Sequence, residues 1–182
     1  VGMEPAVKPA AEHTHTGIVG GLATPTTFAG DLYASVVERF AKDVEILQNN
    51  CPGLVEQIEA GNLDTPEVHQ ILKYALDPML AAGIDPIVMG CTHYPFVIPV
   101  IEAITGPEVR TIDPAPAIAR QVRRLLDHRN LLNSDNEASR LHFFTSGEPA
   151  KLATLLPRLL GESGPVSAVK WSEDSSLVLD PT

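Results

Sequence analysis

The sequence predicts an α/β protein, a mostly parallel sheet flanked by helices. Three observations carry this. Short apolar runs recur along the chain, each ends in a polar turn, and each turn opens a stretch whose apolar residues fall at helical spacing.

Residues 1–15 mix Pro, Ala, Glu and His and read as an irregular lead-in. Residues 17–23 form the first apolar run. Thr24-Pro25-Thr26 follows as a helix start, and Leu32, Val36, Val37 and Phe40 recur at helical spacing across residues 27–41. Residues 44–47 are the second run, ending near Cys51-Pro52. A short helix over residues 53–60 is closed by Gly61. Thr65 caps a longer helix, with Pro66 in its first turn and Glu67 at its positive dipole end. That helix runs to Ala82 and stops at Gly83, and Pro78 inside it predicts a kink or a break.

Residues 84–89 hold the third run, followed by Gly90-Cys91-Thr92-His93-Tyr94-Pro95 and a helix over residues 95–104 that ends at Gly106. Residues 109–112 are the fourth run. Asp113-Pro114-Ala115 then opens a helix to His128. Residues 130–139 are polar and loop-like. Residues 141–145 read as a fifth strand, Pro149–Leu160 as a helix and Val166–Trp171 as a last strand. In parallel sheets ligands sit beyond the carboxyl ends of the strands. The residues reached there after the first four runs are Thr24, Cys51, Cys91 and Asp113.

Composition narrows the function. Thirteen Lys and Arg against 23 Asp and Glu leave a formal net charge of −10, the reverse of a nucleic-acid binder. Arg120, Arg123 and Arg124 read as a solvated face of one helix. Two cysteines far apart make neither a disulfide framework nor a zinc site, and a reducing cytoplasm is the expected setting. No apolar stretch reaches the roughly 20 residues that span a bilayer, and no signal peptide is visible. Gly17-x-x-Gly20-Gly21 has the wrong spacing for a phosphate loop. His13, His15, His69, His128 and His142 read as surface residues, and Trp171 as core or interface.

The cysteine turn carries the chemistry. A strand delivers Cys91 into a turn before a helix, whose free N–H groups would favour a thiolate. Gly90 lets backbone approach closely. His93, two residues on, can pair with the sulfur or carry its proton. Thr92 offers a hydroxyl and a backbone N–H to a carboxylate. The opposing interpretation is a buried, inert cysteine, the commoner fate of one after an apolar run.

Gly-Cys-Thr-His-Tyr-Pro at 90–95 resembles the second cysteine motif of glutamate racemases. Asp113-Pro-Ala resembles that family's next strand end. Cys51-Pro-x-Leu-Val55, continuing to Glu59-Ala-Gly61, is similar to its preceding strand and helix, and residues 17–24 resemble the opening of its second domain. The resemblance covers residues 17–132 in order and, more loosely, 141–160.

The resemblance implies one of two similar α/β domains. Residues 1–16 would be a lead-in and the end of an upstream domain, 17–132 the domain with the second catalytic cysteine, and 133–182 a segment returning to the first domain. It implies cofactor-independent interconversion of L- and D-glutamate for peptidoglycan, by two cysteines on opposite faces of Cα. Cys91 would be the L-side base, assisted by His93 and Glu59, with Thr92 and Thr24 holding substrate. Cys51, outside a Cys-Asn-Thr context, would be a packed cysteine near the pocket wall. No cofactor or metal is implied, and glutamate is the implied partner.

Two departures follow. The family's Asp-Ser-Gly segment and first catalytic cysteine do not occur here, so the chain is expected to fold but not to racemise alone. Its 141–171 face would then lie open or be covered by a second copy, as in a homodimer. Gly21 stands where the family usually has Thr, which implies that a hydroxyl contact to substrate is lost or supplied differently and bears on the role of Thr24. Competing expectations are an aspartate or hydantoin racemase, which usually lack His-Tyr-Pro after Gly-Cys-Thr, and a non-catalytic binding module.

Overall fold

A computed structural model describes residues 1, 3–4, 6–133 and 140–180. They form two compact units, Val1–Leu132 and Asn133–Thr182.

The first unit is built on a four-stranded, all-parallel sheet of order β2-β1-β3-β4: β1 Ile18–Leu22, β2 Glu45–Asn49, β3 Pro86–Met89 and β4 Arg110–Ile112. β1 and β3 are central and apolar because both faces are covered, and all four residues of β3 are buried. Gly20 exists for packing: a Cβ there would lie 3.1 Å from Ile87 and 3.2 Å from Ile84 and Met79. The strand order reverses between β1 and β3, which makes their carboxyl ends a topological switch point.

The lead-in is helical rather than irregular, because α1 spans Val7–His13. Its apolar residues fall on one face, burying Ala10 with Val19 and Val88, and Val7 with Tyr33 and Val36. Pro9 is tolerated because the first turn's N–H groups have no intrahelical partner. The single helix expected over residues 27–41 is two, α2 Pro25–Phe28 and α3 Asp31–Phe40, separated at Gly30, whose backbone is extended. α4 Leu54–Glu59 follows Gly53, whose φ of 86° suits glycine. α5 Pro66–Ala81 starts at Thr65, which accepts from the Val68 N–H, and runs through Pro78 without a break. The helix expected from residue 95 begins as a 3-10 turn, Tyr94–Val97, and becomes α6 only at Ile98–Thr105. α7 Ala115–His128 buries none of its residues.

The second unit has its own three-stranded sheet, β5 Phe143–Thr145, β6 Val166–Trp171 and β7 Leu177–Leu179, with α8 Pro149–Leu160 packed against it. The fifth strand therefore starts a second sheet, and β7, unanticipated from sequence, closes it in antiparallel pairing. Register aligns Phe144 with Ser167, Val169 with Leu179 and Trp171 with Leu177, so these share a face. Phe144, Trp171, Leu177 and Leu179 are all exposed on it. Trp171 is thus not core within this chain. Of the loop expected over residues 130–139, positions 134–139 lie outside the described residues.

Asp85 fastens the lead-in to the sheet. Thr14 Oγ1 and the His15 N–H each donate to its carboxylate at 2.5 Å, and Thr16 Oγ1 donates at 3.1 Å. Burial alone would raise its pKa, but these hydrogen bonds outweigh burial and hold the carboxyl below the usual range. The folded pKa lies under the unfolded value of about 3.9. The stabilisation is therefore complete above that pH and is lost as pH falls through the folded pKa. Asp85→Asn should cost about 1–3 kcal/mol at neutral pH. Urea unfolding followed by circular dichroism measures this, and the gap to the natural chain should narrow below about pH 3.9.

Candidate active site

Three strands deliver side chains to one cavity of about 610 Å³ at the switch point. Thr24 follows β1, the Gly90-to-His93 turn follows β3, and Asp113 follows β4; all line it. The β1 and β3 ends meet closely. The Gly90 N–H donates to the Leu22 carbonyl at 2.8 Å. A Cβ on Gly90 would fall 2.7 Å from Ala23 Cβ, so only glycine fits without displacement. That contact fixes where Cys91 emerges.

Cys91, half-buried, lies with its Sγ 3.9 Å from His93 Nδ1. The far nitrogen, His93 Nε2, is 3.2 Å from Glu59 Oε1 at the end of α4. Thiol, imidazole and carboxylate thus stand in line. With its N–H on the Glu59 side, the ring donates to the carboxylate and offers a lone pair to the sulfur. Glu59 does not line the cavity; it reaches the site only through the ring. The helix expected directly after Cys91 does not follow at once. The 3-10 turn intervenes, and Pro95 and Pro99 remove two donors.

Tyr94 anchors the turn from below. It is fully buried, and its hydroxyl donates to the Asn50 carbonyl at 2.8 Å. Burial keeps this phenol protonated, pushing its pKa up. Cys51, after β2, does not line the cavity. It is 2% exposed, and burial, helped by the nearby Cys91 sulfur, pushes its thiol up to about 12. It is a packed residue.

Thr24 and Thr92 both line the cavity. Gly21 does not. An added Cβ there would meet Ile46, the Leu47 carbonyl and Phe28 within β1's own packing. Thr24 Oγ1 and Thr27 Oγ1, three residues on, are 3.2 Å apart. Thr27 and Tyr33, also on the wall, were not singled out from sequence, because Thr-Pro-Thr-Thr reads only as a helix start. Among the described residues, no Lys or Arg lines the cavity and no group of three His, Cys, Asp or Glu is placed to hold a metal.

Fold and site define a class: α/β proteins that hold a thiol, an imidazole and a carboxylate in line at the carboxyl ends of parallel strands. A model of the Asp/Glu/Hydantoin racemase family matches residues 1–122, and the chain belongs to that family. It is 47% identical over 160 residues to a glutamate racemase of Roseiflexus sp., covering 87% of this chain and 59% of that protein. It is 46% identical over 168 residues to one of Pseudomonas putida, covering 92% and 63%. Among solved structures it is similar to Escherichia coli glutamate racemase in complex with L-glutamate and an activator, UDP-MurNAc-ala, with TM-score 0.76 and 29% identity, covering 92% of this chain and 64% of that one. The Bacillus anthracis isoform RacE1 gives TM-score 0.76 at 28% identity, covering 89% and 60%. The chain therefore spans about six-tenths of the length of these relatives.

The two thiols should differ sharply in reactivity. Iodoacetamide at neutral pH should label Cys91 and spare Cys51 until denaturant is added. Peptide mass spectrometry reads this; equal labelling in the folded chain would contradict the burial of Cys51.

Proposed function

We propose that this chain is the larger part of a glutamate racemase and carries its L-side catalytic half. The observation that carries this reading is the Cys91–His93–Glu59 line at the cavity wall. Cys91, as thiolate, removes the α-proton of L-glutamate, and the C–H electron pair passes to the carbanion-like centre. A second cysteine, in the part of the relatives' length that this chain does not span, donates a proton from the opposite face. In the reverse direction the roles exchange. Two bases are needed because one alone returns the proton to the side it left.

His93 takes the thiol proton and returns it, and Glu59 fixes the ring's tautomer and stabilises the imidazolium. The hydroxyls of Thr24 and Thr92 hold the substrate's polar groups. With no fixed cation on the described wall, oriented hydroxyls and backbone N–H groups carry the stabilisation of developing negative charge. The open apolar face of the second unit packs against the absent domain. The same reading makes the enzyme cofactor-independent, places it in the cytoplasm and assigns its product to peptidoglycan synthesis.

Polarimetry tests this in two arms. The chain alone should leave the rotation of L-glutamate unchanged, and clear turnover would overturn the role given to the absent half. Fused behind the leading segment of the Pseudomonas putida relative, it should interconvert the enantiomers. Cys91→Ser in that fusion should lower turnover by about 100-fold or more. A folded but inactive fusion, or an unaffected C91S, would sink the assignment.

A further inference from the structure

The turn that joins β2 to α4 is held in a conformation its sequence resists. Cys51 has φ 42°, in the left-handed region, although it carries a Cβ. It also precedes Pro52, and a residue before proline is pushed toward extended backbone. Strain of this kind persists only where the surroundings over-determine it. One peptide group does so here. The Cys51 N–H donates to Asn49 Oδ1 at 2.8 Å, and the Asn50 carbonyl, the other end of the same peptide, accepts from the Tyr94 hydroxyl at 2.8 Å. A peptide is planar, so holding both ends fixes its plane and with it φ of Cys51. Burial of the Cys51 side chain completes the clamp.

What the turn aims is α4. The Cys51 carbonyl accepts from the Leu54 N–H at 3.0 Å as that helix begins. The helix is six residues long, buries Leu54 and Ile58 and ends at Glu59. Among the described residues, His93 is the hydrogen-bond partner of the Glu59 carboxylate, at 3.2 Å. Both side chains are partly exposed, and an exposed pair has little hold on its own geometry. Where α4 ends therefore decides whether carboxylate and ring meet. At 1.5 Å per residue, a rotation of about 10° at the start of α4 swings its end by about 1.5 Å, more than a hydrogen bond tolerates.

We propose that Asn49 and Tyr94 are positioning residues: by clamping the two ends of the Asn50–Cys51 peptide they lock the strained turn, aim α4 and hold the Glu59 carboxylate on His93 Nε2. This rests on the reading of Cys91, His93 and Glu59 as the proton-transfer line. It gives the buried Cys51 a place in that line's geometry, through its backbone rather than its thiol.

The test follows the ring proton on His93 Nε2 by NMR in the isotopically labelled chain and measures its exchange with water. The ring proton of His69 facing Asp64, 2.6 Å away, is the internal reference. Tyr94→Phe and Asn49→Ala should each speed exchange at His93 by about fivefold, the weight of one hydrogen bond, and leave His69 unchanged. Asn49→Asp, which keeps the accepting oxygen, should retain the natural rate. With Glu59→Ala the ring proton has lost its acceptor, so adding Tyr94→Phe should change nothing further. An unchanged His93 rate in both Y94F and N49A, equal speeding at His69, or a Tyr94→Phe effect that persists without Glu59 would overturn the proposal. So would a natural chain whose His93 proton exchanges no more slowly than with Glu59→Ala. These rates need neither substrate nor turnover, so they can fail while the polarimetry above succeeds, and the reverse.

Discussion

The close approach of two strand ends governs this molecule. Where β1 and β3 finish, the Gly90 N–H meets the Leu22 carbonyl, and Gly90 has no side chain to hold Ala23 away. Everything at the site is measured from that contact. It sets the height at which Cys91 leaves the sheet and places Thr24 beside it. The approach is possible because the residues that meet, Gly90 and Ala23, are both small.

A second tier of contacts turns this position into an orientation. Tyr94 spends its hydroxyl on the Asn50 carbonyl, which ties the cysteine turn to the turn that begins α4. α4 is short, yet its last residue is Glu59, the carboxylate on the far side of the imidazole. A buried phenol thus helps to hold in register a partly solvent-exposed histidine and acid. Exposed charge pairs of this kind contribute little to stability. Their importance at this site lies in ring orientation, and the packing beneath them supplies the rigidity.

Periodicity made the first unit's sheet readable: the four apolar runs at 17–23, 44–47, 84–89 and 109–112 each contain or overlap a strand, and each turn opens toward a helix. The family was legible in Gly-Cys-Thr-His-Tyr-Pro. Tertiary packing overrode local reading elsewhere. Residues 7–13 look irregular because of Pro9, but burial of Val7 and Ala10 makes them helical. Gly30 cuts one expected helix into two, and Pro95 with Pro99 delays another behind a 3-10 turn. Pro78 gives the opposite error, since packing of α5 carries the helix through it. Thr27 was missed because its partner is another side chain rather than the backbone, and no periodic signal marks such a pair.

The cation-free lining of the described cavity has a kinetic consequence. Among the described residues its lining carries Glu4 and Asp113 but no Lys or Arg, Arg39 is paired with Glu4 at 3.8 Å, and the sequence as a whole carries a formal −10. Long-range steering, which speeds anions toward basic clefts, therefore works here in reverse. Encounter with a negatively charged ligand is hindered at low ionic strength and eased as the Debye length shrinks, from about 30 Å at 0.01 M to about 8 Å at 0.15 M. For a negatively charged ligand, capture in this cavity would thus be a short-range event rather than one of attraction before contact.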